Sequence, residues 1–188
     1  MSKMRILMLD IETAPANAYV WRLFDENIPI DRLIASGYIL CWAAKWYGDK
    51  KVMYGSVNDK DWLTRIHALL DEADAVVHYN GKRFDIPNLN REFVLAGMTP
   101  PSPYQQIDLL PVVRREFRFD SNKLAHVAGE LGLGHKDKSA PFSMWIGCMN
   151  GDKKSWKEME VYNKNDVILL EELYKVLLPW ISNHPNVG

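Results

Sequence analysis

The sequence predicts an α/β fold: a mixed sheet of five strands with helices on its faces. Three observations carry this. Residues 4–11 (MRILMLDI) form a nearly continuous apolar run, the pattern of a strand buried on both faces. Two further strand-like segments follow, joined by a tight turn. After them, strands and helical segments alternate, as helix-linked neighbours in a sheet require.

The elements follow in order. Residues 37–46 (GYILCWAAKW) read as the second strand, Tyr47-Gly48-Asp49-Lys50 as a turn, and residues 51–56 as a third strand closing a hairpin. From Asp61 to Glu72, Trp62, Ile66, Leu69 and Leu70 recur at helical spacing, with Asn58 or Asp59 as the expected cap. A fourth strand spans residues 74–79 and ends at Asn80-Gly81. A helix is expected from about Pro87 to Ala96, with Pro87 in its first turn and Gly97 as its stop. The fifth strand covers Tyr104–Leu109. Helices start near Pro111, Ser121 and Phe142, and a long one runs from about Ser155 to Leu178.

At 188 residues, with 47% apolar and 25% charged side chains, the chain is expected to form one domain over residues 1–188. Its 23 Lys/Arg against 24 Asp/Glu exclude nucleic-acid binding by bulk positive charge. Residues 111–165 nevertheless hold 10 Lys/Arg and 7 Asp/Glu, a local excess that fits a strand-tracking groove and a solvated basic face equally well. Only Cys41 and Cys148 are present, too few for a disulfide framework. The N-terminal stretch does not read as a signal peptide, and no apolar run approaches a membrane span. These features favour a reducing, cytoplasmic setting.

The chemistry gathers at three places. Asp10 and Glu12 end the first apolar strand and, two residues apart, project from one face. Two such carboxylates repel each other unless a cation lies between them. On the last helix, Met159, Tyr162, Asp166, Leu169 or Leu170, Leu173 and Leu177 fall on one stripe, placing a carboxylate in an otherwise inward row. Between them, Asn80-Gly81-Lys82-Arg83-Phe84-Asp85 follows a strand. It combines a tight turn, two cations, a flat ring suited to base stacking, and another acid, which as a bare pattern reads equally as a helix cap.

These segments are LDIETAP (Leu9–Pro15), YNGKRFDIPNL (Tyr79–Leu89) and YNKND (Tyr162–Asp166). Together they resemble the three motifs of the tyrosine (DEDDy) class of 3′–5′ exonucleases in the ribonuclease H-like superfamily. The wording is closest to the proofreading exonuclease domain of family B DNA polymerases and its free-standing relatives. IDLLP and SNKLAHVAGELGLGHK (residues 121–136) also resemble that family's connecting segment, so the likeness covers roughly residues 5–178. Tyr162 stands where the sister class would use a histidine one residue earlier, and position 161 is Val.

The resemblance implies a ribonuclease H-like fold and two divalent ions, Mg²⁺ or Mn²⁺, bound by oxygen ligands. Asp10 would bridge both ions, Glu12 and Asp166 would complete one site, and Asp85 would hold the second, directly or through water. Asp108 is the rival for that last role. Tyr162 would orient the attacking water, and the product would be a 5′-mononucleotide. Asn80 and Phe84 are the expected substrate contacts, with Lys82 and Arg83 on the backbone. Single-stranded DNA is favoured; an exoribonuclease with the same chemistry is the alternative. A silent binding module fits less well, because all four acids are present. Proofreading or DNA repair would require a separate polymerase or replication protein as partner. The histidines lack metal-like spacing, and the tryptophans read as core.

Overall fold

The structure, a computed structural model, describes residues 4–24, 26–134, 140–182 and 184. The end of the 121–136 segment, from His135 on, lies outside them. Strand β1 (Ile6–Ala14) leads into a short ribbon of β2 (Asn17–Ala18) and β3 (Leu33–Ala35), then β4 (Tyr38–Trp46) and β5 (Met53–Ser56). Helix α1 (Trp62–Asp71), β6 (Ala75–His78), α2 (Asp85–Leu95) and β7 (Gln105–Asp108) alternate. Four helices follow: α3 (Leu109–Glu116), α4 (Leu124–Glu130), α5 (Phe142–Met149) and α6 (Lys153–Leu177).

The main sheet has five strands in the order β5-β4-β1-β6-β7. Central β1 runs antiparallel to β4 and parallel to β6, and β6 runs parallel to β7, so the sheet is mixed as the sequence predicts. Strand alternation sorts β1 into two faces. Leu7, Leu9 and Ile11 pack with Trp42, Ile66, Leu89 and Phe93 under α1 and α2. Ile6 and Met8 pack with Val113, Val127, Val167, Leu170 and Tyr174 under α3, α4 and α6. Asp10 and Glu12 continue the second row, which is why they face α6. A third cluster, including Leu40, Cys41, Met144, Cys148 and Met159, seats α5 and the start of α6 on β4.

The position of α6 along the sheet is fixed by a buried ion pair. Lys45 Nζ lies 2.6 Å from Glu171 Oε2, and the Gly48 N–H donates to the other oxygen at 2.8 Å. Breaking one member of such a pair strands a buried charge, so the register of α6 against β4 is costly to change.

Several expectations need correction. Strand β1 does not stop at the acids but continues to Ala14 through a bulge, where Glu12 opposes Cys41 and Thr13 opposes Ile39. Bulges of this kind re-aim neighbouring side chains. The cap of α1 is Asp61, while the Asp59 carboxylate accepts the Ser56 N–H and closes the turn after β5. Helix α2 starts at Asp85, α3 at Leu109 and α6 at Lys153, each two residues before its predicted start. The buried residues of α6 are Met159, Asn163, Val167, Leu170, Glu171, Leu173, Tyr174 and Leu177; the expected Met159, Leu170, Leu173 and Leu177 are among them, while Tyr162 and Asp166 flank the stripe instead of centring it.

The β2–β3 ribbon has no counterpart in the sequence reading, because strands of two and three residues show no period. It prolongs the β1–β4 hairpin and carries Tyr19, Trp21, Leu23, Phe24 and Ile30 in exposed positions. Glu26 orders its tip by accepting the Trp21 and Arg22 N–H groups, each at 3.0 Å. Trp21, and Trp180 after α6, therefore depart from the expectation that the tryptophans are core. No helix among the described residues is long and apolar enough to cross a membrane.

Candidate functional site

Residues far apart in sequence meet where β1 passes under α6. One carboxylate oxygen from each of Asp10, Glu12 and Asp166 can be chosen so that all three lie within 4.8 Å of one another. Each acid has a protein donor. Asn163, fully buried, gives its Nδ2–H to Asp10 Oδ2 at 2.7 Å. The Trp145 indole N–H donates to Glu12, and the Tyr162 hydroxyl donates to Asp166. Trp145 and Tyr162 meet edge to face at 5.8 Å between ring centres. Among the described residues, no Lys, Arg or His forms an ion pair with any of the three acids.

Asp85 approaches from the opposite side of β1. It begins α2 and is 3% exposed, and its Oδ1 accepts the Ile11 N–H at 3.1 Å. The Asp85 charge is felt at Asp10 and Glu12, but its oxygens lie outside the tight group of three. Its role is thus not that of an ordinary helix cap; it ties α2 to the strand carrying the other acids.

Burial and mutual repulsion hold protons on this cluster. Burial first, then the charges of Glu12, Asp85 and Asp166, push Asp10 well above the usual carboxylate range. Burial and Asp166 push Glu12 up to about 8. Burial pushes Asp85 to about 7 and Asp166 to about 6. Burial, followed by the charge of Asp166, raises Tyr162 above its ordinary value, so its hydroxyl stays protonated and acts as a donor. Buried carboxylates that repel one another and lack a cationic side chain suit a divalent cation. An oxygen-only donor set matches Mg²⁺ or Mn²⁺ better than metals that prefer thiolate or imidazole.

The loop 80–84 is built from the sheet edge beside these acids. His78 is fully buried; its Nδ1 accepts the Gly81 N–H at 3.1 Å and its Nε2 faces Gln106 Oε1 at 3.3 Å. That pattern assigns a neutral ring protonated at Nε2, and burial lowers its pKa accordingly. A Cβ on residue 81 would come within 2.3 Å of the His78 ring, so only glycine fits there. Asn80 takes the left-handed conformation, φ 66°, that asparagine tolerates. Asp108 holds the loop by accepting the N–H groups of Asn80 (2.7 Å), Lys82 (3.3 Å) and Leu110 (3.2 Å). Those bonds make Asp108 a scaffold residue. Lys82, Arg83 and Phe84 are exposed.

Two residues at this site escape the sequence reading. Asn163 shows itself only when the α6 stripe is drawn through 159, 163, 167 and 170, where an amide interrupts an apolar row. Trp145 carries no local signal, since nothing in the α5 sequence indicates which way its indole points.

The fold and site define an α/β protein with a carboxylate cluster at a sheet edge. A family model described as RNase_H superfamily matches residues 49–178, more than half of the chain. The chain belongs to that superfamily, whose members are typically nucleases. The matched stretch contains Asp85 and Asp166 but begins after Asp10 and Glu12. Among solved structures, the family B DNA polymerase of the hyperthermophilic archaeon Pyrobaculum calidifontis is similar, with a TM-score of 0.70 and 17% sequence identity. The likeness covers 95% of this chain and 25% of the polymerase chain, so this chain spans a quarter of that protein's length. At that identity it speaks for the fold alone. No curated protein matches the sequence.

Proposed function

We propose that this chain is a metal-dependent 3′–5′ exonuclease of the tyrosine (DEDDy) type, releasing 5′-mononucleotides from the 3′ end of single-stranded DNA. The observation that carries this reading is the convergence of Asp10, Glu12 and Asp166, from two sequence-remote motifs, within 4.8 Å. Membership of the RNase H superfamily and the ordered motifs support it. In the proposed site, Asp10, Glu12 and Asp166 would hold one divalent ion, and Asp85 together with Asp10 would serve a second. Bound there, such ions would polarise the scissile phosphate, lower the pKa of the attacking water and stabilise the departing 3′ oxygen.

The chain's own groups do the positioning. Asn163 fixes the Asp10 carboxylate, Trp145 fixes Glu12, and the Tyr162 hydroxyl, protonated and tied to Asp166, orients the water without acting as a strong base. Phe84, 41% exposed at the start of α2, offers a ring for the terminal base, and the Asn80 carbonyl holds that turn by accepting the Phe84 N–H at 3.1 Å. Lys82 and Arg83 contact the backbone. A role in proofreading or repair would bring in a polymerase or repair protein.

The test is degradation of 5′-labelled single-stranded DNA and RNA, side by side, with Mg²⁺ or Mn²⁺. A ladder of single-nucleotide steps on DNA, abolished by EDTA and by Asp10→Ala or Asp166→Ala, is expected. A folded, metal-supplied wild type that leaves both substrates intact overturns the enzyme reading; cleavage of RNA alone overturns the choice of DNA.

A further inference from the structure

Beside the acids lies a second feature that the motifs do not contain. A cleft of about 430 Å³ opens between the loop after β6 and helix α3. Its walls carry Lys82 and Arg83 from the loop and Arg114 and Arg115 from the helix, with Asn80 and Asp108 at its base. Lys82, Arg83 and Arg114 form no ion pair among the described residues, and Arg115 pairs only with its neighbour Glu116, at 2.5 Å. The acid in the cleft has its acceptors occupied: both Asp108 oxygens accept backbone N–H groups. Four exposed cations around a dip whose carboxylate is already satisfied make a site for anions.

The register of the sheet places this cleft. Met8 pairs with Val77, and His78 with Asp108, so β6 and β7 end together close to where β1 carries Asp10. The cleft opens at the ends of β6 and β7, one and two strands across from Asp10. At ~4.8 Å per strand that is about 10 Å, the axial rise of roughly three nucleotides of one stacked strand.

We infer that the cleft is a phosphate subsite for the strand on the 5′ side of the scissile bond, with Arg114 and Arg115 completing it. The inference rests on the 3′–5′ exonuclease reading and deepens it. The ligand is the internucleotide phosphate itself, carried once per nucleotide, so the subsite reads no base and sets a length requirement. A dinucleotide ends before the cleft. An octanucleotide fills it.

The test uses the full chain and the double variant Arg114→Gln/Arg115→Gln, in which two exposed side chains lose charge but keep most of their length. Affinity for 5′-fluorescein-labelled (dT)₈ is measured in EDTA over a salt series, apart from any hydrolysis. Cleavage of (dT)₈ and (dT)₂ is then measured with Mn²⁺. The variant is expected to bind (dT)₈ roughly tenfold more weakly. Its slope of log affinity against log salt should be shallower by about 1.4, or 0.7 per lost phosphate contact. KM for (dT)₈ rises while its kcat and the rate on (dT)₂ stay at the wild-type level. An unchanged salt slope, or an equal loss on (dT)₂ and (dT)₈, overturns the subsite. Excess free 5′-dTMP that displaces (dT)₈ from the wild type but not from the variant assigns the cleft to the product and overturns the strand assignment. If the wild type cuts (dT)₈ and the variant is indistinguishable, only the cleft is wrong; if the wild type neither binds nor cuts, both readings fall.

Discussion

The acidic cluster and the cationic cleft share one edge of one sheet, yet they are built on opposite terms. Each acid is buried or half-buried and held by a named donor: Asn163 on Asp10, Trp145 on Glu12, Tyr162 on Asp166, the Ile11 N–H on Asp85. The cations across the edge are exposed, and three of them have no ion-pair partner among the described residues. Groups that shape a transition state must be placed before the substrate arrives, and fixing them in a low-dielectric pocket strengthens their action. Groups that track a flexible backbone work through charge on long, adaptable side chains. The first region is expensive to keep folded and the second nearly free.

That contrast can be broken by mutation, starting with the largest effect. Asp10→Ala should lower the rate by about 10³-fold or more, roughly 4 kcal/mol of transition-state stabilisation. The same change should leave the thermal midpoint of the EDTA-treated protein equal to or above wild type, because it removes a buried carboxylate that its neighbours repel. A large drop in midpoint would make Asp10 a structural residue and erase the contrast. Next, Tyr162→Phe should slow turnover about 10²-fold with Mn²⁺ affinity unchanged, checked by single-turnover rates and calorimetric titration. Equal rates would reduce Tyr162 to packing. Asn163→Ala should weaken Mn²⁺ binding by about 10-fold through the loss of the bond that aims Asp10. Intact metal affinity in a folded Asn163→Ala would show that the amide merely fills space.

The two regions also differ in how plainly the sequence announces them. Asp10, Glu12, Asp85 and Asp166 sit in short patterns whose spacing carries the geometry, and β1, β4, β5, β6 and β7 follow from apolar runs of strand length. The bulge after Glu12 leaves no such trace, because it depends on which residue of β4 is skipped. Trp145 and Asn163 are visible only in three dimensions, where α5 and α6 rotate them toward the acids. Arg114 and Arg115 look like any basic pair in a last helical turn. What joins them to Lys82 is the parallel pairing of β6 with β7, a contact between residues 30 apart along the chain. Local pattern reveals the chemistry; topology alone reveals the groove.

The smallest expected effect is also the one that separates the regions without touching activity. Glu12, Asp85 and Asp166 have folded pKa values of about 8, 7 and 6, and Asp10 is raised as well, against roughly 4 for unfolded carboxylates. Between about pH 4 and pH 8 the metal-free folded state therefore holds more protons than the unfolded chain. Stability must then fall as pH rises through that window. Mn²⁺ binds the deprotonated acids, so the stabilisation it confers should grow from pH 6 to pH 8. Thermal midpoints in EDTA should therefore decline as the pH rises from 5 to 8. Asp10→Asn should flatten the decline, while Arg114→Gln/Arg115→Gln, which removes charge only from the exposed cleft, should keep the wild-type slope. A midpoint independent of pH from 5 to 8, or an equal shift in both variants, would mean that the acids are not held against their own repulsion and that the two regions differ in charge alone.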